Sequence, residues 1–187
     1  GMTVIGENGG IVMRDGVEVS SSPLDAPTMR EAVRLVREAT SGPDGIDGGL
    51  VMCGKQFAYV ERTDDRFVDG VMPYYHRTKR VEDQNAIIDA IEAGEIDDAI
   101  VKLAVYVIGP VRALAEATLA NFADTHQYAI SGANWADLQI RGVDKGSAVR
   151  DLQRFLGVDR SQTAVFGDAG NDLSMMSEGD LSFAMAN

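Results

Sequence analysis

One short segment, residues 167–172 with the sequence GDAGND, constrains this chain more than any other. It follows an apolar run at residues 163–166 that predicts a buried strand, and it precedes residues that predict a helix start. Asp168, Asn171 and Asp172 therefore stand where a strand ends and a helix begins, an edge at which open α/β sheets bind ligands. The helix start favours anions, whereas carboxylates repel a phosphate unless a cation such as Mg²⁺ lies between them. The segment predicts Mg²⁺-dependent phosphate handling, with a turn capped by Asp or Asn side chains as the simpler alternative.

Strand and helix patterns alternate along the 187 residues, which is typical of the α/β class. Strands are predicted at residues 4–5, 11–12, 50–60 (a hairpin turning at 54–55), 99–107, 128–130, 135–140, 163–166 and 182–185. Helices are predicted at residues 29–40, 85–94, 110–122 and 145–156. Residues 14–17 predict a hairpin tip, and residues 67–75 are predicted to be irregular or extended.

Three segments carry a resemblance to a known family. VIGENGGIV at residues 4–12, GVDKGSAVRDLQRFLGV at 142–158 and VFGDAGNDLSMM at 165–176, in this order, resemble the haloacid dehalogenase superfamily, and especially its Cof-type phosphatases. The resemblance implies a partial Rossmann-like α/β core with an inserted α/β cap domain of the C2 type. The core would comprise residues 2–23 and 141–187, and the cap residues 24–140. The implied activity is Mg²⁺-dependent hydrolysis of small phosphorylated metabolites.

The resemblance also implies roles for individual residues. Lys145 would neutralise the transferring phosphate, and Asn171 would position groups on the phosphate side. Asp168 would coordinate Mg²⁺, and Asp172 would support the metal shell or Lys145. A lysine in the first turn of a helix is unfavourable for the helix dipole, which independently suggests a nearby anion, although a solvated surface lysine is the alternative.

The turn at residues 7–10 is a weaker candidate for substrate binding. Asn8 and Gly9 fall where related proteins have an Asn-Gly-Ala sequence, and the glycine permits a tight turn. A turn asparagine without a role in binding is an equally good interpretation of Asn8.

One part of the family pattern is absent from these residues. The family's catalytic Asp-x-Asp-Gly-Thr motif has no counterpart, because no two aspartates in the chain are separated by a single residue. The resemblance therefore implies a chain without the family's first βαβ segment and last elements, inactive in isolation and with weak or no Mg²⁺ binding. The alternative is a non-enzymatic remnant that acts as a phosphate- or protein-binding module.

A core sheet that lacks its central strands would have an open apolar edge. Two solutions are open. Residues 4–5 could pair directly with residues 164–166, giving a smaller sheet, or a second copy of the chain could cover the edge, giving a homodimer. The dimer is favoured, because one short strand supplies little surface.

Composition limits the other function classes. A net charge of −12 argues against a nucleic-acid partner, and no apolar run is long enough to cross a bilayer. The single cysteine, Cys53, is expected to be a buried inert thiol and fits a reducing cytoplasm. Neither His76 nor His126 has a second ligand nearby in sequence, so zinc is not expected. The basic and aromatic residues at 74–80 predict an exposed loop, with recognition of an acidic substrate as the alternative.

Overall fold

The structure, a computed structural model, describes residues 1–168 and 170–186. Ala169, inside the predicted phosphate-handling segment, and the terminal Asn187 lie outside the described residues. The chain divides into two compact units. The first unit comprises Gly1–Ser22 and Gly142–Asn187, and the second comprises Pro23–Arg141.

The described residues form the following elements. The strands are β1 (Thr3–Gly6), β2 (Ile11–Arg14), β3 (Val17–Ser21), β4 (Gly48–Gly54), β5 (Ala58–Val60), β6 (Thr78–Arg80), β7 (Ile100–Val107), β8 (His126–Ile130), β9 (Trp135–Ile140), β10 (Ala164–Gly167) and β11 (Leu181–Ala184). The α-helices are α1 (Ala26–Thr40), α2 (Asp65–Val71), α3 (Gln84–Glu92), α4 (Arg112–Ala117), α5 (Lys145–Leu156) and α6 (Leu173–Met176). Short 3-10 helices occupy Glu7–Gly9, Met72–Tyr74, Leu119–Phe122, Arg160–Gln162 and Gly170–Asp172.

The first unit contains two separate small sheets. Strands β1, β2 and β3 form an antiparallel meander, whereas β10 and β11 pair in parallel. The β2–β3 turn is the predicted hairpin tip, with Asp15 and Gly16 both in the left-handed region at φ 51° and 82°. Within the described residues β1 pairs with β2 and not with β10, so the smaller sheet considered from the sequence does not form in this single chain.

The second unit is built on one sheet with the strand order β6-β5-β4-β7-β9-β8. Its larger apolar core lies on the face that carries Leu50, Met52 and Leu103, packed against α1, α3 and α4. Helix α1 begins where Asp25 accepts the backbone N–H of Thr28 at 2.8 Å. Hydrogen bonds from the Thr28 hydroxyl and, second, from its backbone N–H lower the pKa of Asp25 below its usual range. No helix among the described residues is both long and apolar enough to cross a membrane.

Two sequence-based assignments in the second unit are wrong. Residues 67–74 are helical and only Tyr75 of the segment is extended. The cause is that Asp64 caps α2 by accepting the N–H of Phe67, and Phe67, Val68 and Val71 are buried at helical spacing. The helix expected at residues 110–122 is split into α4 and a 3-10 turn. At the break, the Thr118 hydroxyl donates to the carbonyl of Leu114 at 2.6 Å.

A buried glutamine ties β4 to β5. Gln84 is 2% exposed, and its Nε2 donates to the carbonyls of Leu50 at 3.1 Å and Tyr59 at 2.9 Å. Its backbone N–H donates to Glu61, which also pairs with Arg37 of α1. The pKa of the Arg37 guanidinium is raised, first by its hydrogen bond to Glu61. The network therefore fastens α1, α3 and the sheet to one another.

We expect Gln84→Ala to destabilise the second unit by roughly 1–3 kcal/mol, because two buried carbonyls lose their donor. The measurement is urea unfolding followed by the fluorescence of Trp135, the only tryptophan of the chain, which lies in this unit. Gln56→Ala is the matched control. Gln56 also donates to a backbone carbonyl, that of Asp97, but it is exposed, so water replaces the lost bond. Equal losses of stability in Gln84→Ala and Gln56→Ala would contradict a stabilising role for the buried hydrogen bonds of Gln84.

Candidate functional site

The predicted phosphate-handling segment is organised around a buried carboxylate. Strand β10 ends at Gly167, and Asp172, only 6% exposed, lies in the 3-10 turn that leads into α6. Oδ1 of Asp172 accepts a hydrogen bond from Nζ of Lys145, and Oδ2 accepts the backbone N–H of Asp168 at 3.0 Å. The carboxylate thereby fixes both the loop after β10 and the lysine of α5.

Lys145 is the first residue of α5, where a positive charge is unfavourable. The helix begins with a capping box in which Asp144 accepts the N–H of Ser147 at 2.7 Å and the Ser147 hydroxyl accepts the N–H of Asp144 at 3.0 Å. Asp172 supplies the anion that the sequence suggested for this position, so the lysine is paired within the protein. Its side chain remains 29% exposed and can still meet a ligand.

Two glycines allow α5 to lie close to its neighbours. A Cβ on Gly146 would stand 2.5 Å from the carbonyl oxygen of Ser174, and a Cβ on Gly9 would stand 2.2 Å from that of Asp144. Gly9 also has φ +100°, a conformation that side-chain-bearing residues rarely adopt. Ser174, which sequence reasoning missed, accepts the N–H of Gly146 at 3.1 Å. The sequence feature that could have found Ser174 is a serine just inside the start of a helix.

The turn after β1 reaches the same segment. Asn8, in the left-handed region at φ 52°, accepts a hydrogen bond from Nδ2 of Asn171 at 3.4 Å. Lys145, Asp168, Asn171, Asp172, Asn8 and Gly9, the residues proposed from the sequence, all belong to the first unit. The contacts link Asp172 to Lys145 and Asp168, and Asn171 to Asn8. The catalytic and binding roles of these residues stay predictions.

The side chains available as metal ligands determine how well this segment fits the expected Mg²⁺. Among the described residues no three His, Cys, Asp or Glu side chains cluster closely enough to hold a metal ion. Both oxygens of Asp172 accept hydrogen bonds within the protein, which leaves the exposed Asp168 as the nearest other carboxylate in the segment. Mg²⁺ prefers six well-placed oxygens, so these residues alone do not form a complete magnesium site.

The basic and aromatic segment at 74–80 does not act as one patch. Tyr74 and Tyr75 pack against Trp135, with ring centroids 5.2 and 6.0 Å apart, whereas Nζ of Lys79 lies 3.8 Å from the ring centroid of Phe57. Cys53 is buried, with Sγ 3.2 Å from the hydroxyl of Tyr75.

A cavity of about 510 Å³ in the second unit is lined by residues of α1 and β4, by the segment that joins them, and by Glu61, Arg62 and Gln84. Its two arginines are already neutralised, because Arg37 pairs with Glu61 and Arg62 pairs with Asp47 at 2.6 Å. Both arginine side chains of the lining are therefore engaged in ion pairs within the protein.

The chain belongs to the haloacid dehalogenase-like hydrolases, whose family model matches residues 1–187. Among curated proteins it is 31% identical, over 185 residues, to the 5-amino-6-(5-phospho-D-ribitylamino)uracil phosphatase of Escherichia coli strain K12. That match covers 98% of this chain and 63% of the relative, so the chain spans less than two thirds of the relative's length.

Solved structures share the fold. A haloacid dehalogenase-like hydrolase from Bacillus subtilis superposes with a TM-score of 0.76 at 14% identity, covering 97% of this chain and 68% of that one. A subclass IIB sugar phosphatase of the superfamily gives a TM-score of 0.69 at 15% identity, covering 97% and 63%. The predicted family and α/β fold are thereby confirmed.

We expect Asp172→Ala to destabilise the first unit by roughly 1–3 kcal/mol, because Lys145 and the N–H of Asp168 both lose their acceptor. Hydrogen–deuterium exchange of α5 and β10 measures this loss as faster exchange. Asn171→Ala is the matched control, since Asn171 is exposed and makes one long hydrogen bond. Unchanged protection in Asp172→Ala would show that the carboxylate does not hold the segment together.

Proposed function

We propose that this chain is part of a phosphohydrolase that acts on small phosphorylated metabolites. The observation that supports this most is the joining of Lys145 and the loop of Asp168 by the buried Asp172. A lysine held by a buried carboxylate, yet partly exposed, can offset charge that develops on a transferring phosphoryl group. Family membership and the activity named for the curated relative support the same reaction class.

Within this proposal each residue has a definite task. Asp172 orients Lys145, and Asn171, steadied by Asn8, faces the phosphate. Asp168 contributes to Mg²⁺ binding in the whole protein, while the ion binds weakly or not at all to these 187 residues alone. Residues 24–140 serve as the cap that selects the substrate, and residues 2–23 with 141–187 serve as the core. The single buried cysteine is consistent with a cytoplasmic location.

The activity test compares this chain with any longer protein encoded by the same reading frame. Because the 187 residues contain no Asp-x-Asp pair, we expect no Mg²⁺-dependent hydrolysis of p-nitrophenyl phosphate above that of an Asp168→Asn variant. In a longer, active protein, Lys145→Met should lower kcat by about 100-fold or more, since a charge that stabilises the transition state is lost.

One outcome would contradict the expected inactivity of the 187 residues, and another would contradict the role of Lys145. Mg²⁺-dependent turnover by the 187 residues that disappears in Asp168→Asn would mean that another residue is the nucleophile. A longer protein whose kcat is unchanged by Lys145→Met would remove Lys145 from the reaction. Calorimetric titration supplies an independent check, because micromolar Mg²⁺ binding that Asp168→Asn abolishes would contradict the expected weak metal site.

A second candidate function, a non-enzymatic phosphate- or protein-binding module, is favoured by an exposed apolar surface in the first unit. Phe166 of β10 and Phe183 of β11 stack with ring centroids 4.8 Å apart, yet they are 59% and 44% exposed. Leu181 on β11 is 59% exposed as well. Soluble proteins rarely leave such a strand pair open, so we propose that a second copy of the chain covers it.

Size-exclusion chromatography with light scattering tests this homodimer. We expect a dimer that Phe166→Glu converts to a monomer, because the charge would be buried at the contact. Phe155→Glu is the matched control, since Phe155 is 55% exposed on α5 of the same unit. A monomer at every concentration, or equal disruption by both variants, would exclude a dimer through β10 and β11.

A further inference from the structure

Two backbone N–H groups in the first turn of α5 already have side-chain acceptors. The N–H of Ser147 donates to Oδ1 of Asp144 at 2.7 Å, and the N–H of Gly146 donates to Oγ of Ser174 at 3.1 Å. The first N–H groups of a helix have no partner within the helix, and in many proteins they bind anions. Because these two are engaged, the contribution of α5 to binding a phosphate falls mainly to the side chain of Lys145.

The acceptor of the Gly146 N–H comes from a different helix. Ser174 lies in α6, two residues after Asp172, and both residues contact the first turn of α5. Asp172 accepts a hydrogen bond from Nζ of Lys145, at the far end of the lysine side chain. Ser174 accepts the N–H of the next residue, at the backbone from which that side chain extends. The two contacts therefore fix Lys145 at both of its ends.

The backbones of α5 and α6 approach each other closely at this point. A Cβ on Gly146 would stand 2.5 Å from the carbonyl oxygen of Ser174 and 3.1 Å from its Cβ, so only glycine allows this distance. A short hydroxyl side chain can then reach the N–H of Gly146 directly. Farther along α5, Gln153 donates to Oγ1 of Thr163 at 2.9 Å and to the carbonyl of Glu178 at 2.7 Å. Those bonds fasten the helix about two turns away from Lys145 and do not fix its first turn.

We propose that Ser174 is a positioning residue for Lys145. Its hydroxyl holds the first turn of α5 against α6, which keeps Nζ of Lys145 beside Asp172 and in the place from which it meets the phosphate. Ser174 itself does not touch the substrate. The proposal rests on the proposed function for the part that Lys145 plays toward a phosphate, whereas the effect of Ser174 on Lys145 is a property of the chain alone.

The test measures how well Lys145 is held in the whole chain, without any need for activity. Trace acetylation with acetic anhydride, followed by mass spectrometry, gives the rate at each lysine, and the exposed Lys79 of the second unit serves as the internal reference. We expect Ser174→Ala to raise the rate at Lys145 relative to Lys79 by about twofold to fivefold, because the loss of one hydrogen bond lets the lysine leave Asp172 more often. Ser174→Thr keeps the hydroxyl and should restore the original ratio.

Gln153→Ala is the matched control. It also removes hydrogen bonds that α5 makes to neighbouring segments, and Gln153 is 9% exposed, so the variant loses stability. It should nevertheless leave the ratio of acetylation at Lys145 and Lys79 unchanged, since it does not touch the first turn. An unchanged ratio in Ser174→Ala, or an equal rise in Gln153→Ala, would overturn the proposal, because Ser174 would then act on stability alone or not at all.

Kinetics of a longer, active protein from the same reading frame add a second measurement. Ser174→Ala should lower kcat by about tenfold with little change in KM, because a misplaced Lys145 stabilises the transition state less well. Ser174→Thr should recover kcat. If Ser174→Ala raises the acetylation of Lys145 and kcat does not fall, Ser174 positions the lysine as proposed and it is the proposed role of Lys145 in the reaction that fails.

Discussion

The buried carboxylate of Asp172 is the constraint on which the first unit's site depends. It meets Lys145 from α5 and the backbone N–H of Asp168 from the end of β10, so two segments distant in sequence share one acceptor. The position leaves no room for larger neighbours, because a Cβ on Gly167 would lie 2.7 Å from that of Asp172. The GDAGND sequence therefore allows close packing around the Asp172 carboxylate, and it also supplies candidate ligands.

The two faces of the sheet in the second unit carry different kinds of side chain. The face toward α1, α3 and α4 is apolar and continuous. At its edge Gln84 donates a hydrogen bond to the carbonyl of Leu50, and Arg37 pairs with Glu61. Arg37 also holds the pKa of Asp83 below its usual range, so the network loses strength in acid as that carboxylate takes up a proton. The opposite face carries a smaller apolar cluster under α2 and the buried Lys102–Asp137 pair.

Sequence patterns predicted the parts of this structure that local chemistry determines. A nearly continuous apolar run located β7, an apolar-rich segment located β9, and the start of α5 at Lys145 followed from the apolar spacing after it. The helix α2 was not predicted from residues 67–75. The apolar spacing of Phe67, Val68 and Val71 is too short to indicate a helix unless Asp64 is recognised as its cap. The pairing of Lys145 with Asp172, 27 residues apart, has no local signature, and the sequence offered it only as one of two roles that the family resemblance implied for Asp172.

The charges around the GDAGND segment bear on how it could meet a phosphate. Lys145 is paired with the buried Asp172, and Asp168 is exposed. Under the proposed function, a cation held with the help of Asp168 would offset part of the negative charge that a phosphate brings to this surface. Lys145, 29% exposed while it is paired, would then supply a second positive charge without leaving Asp172.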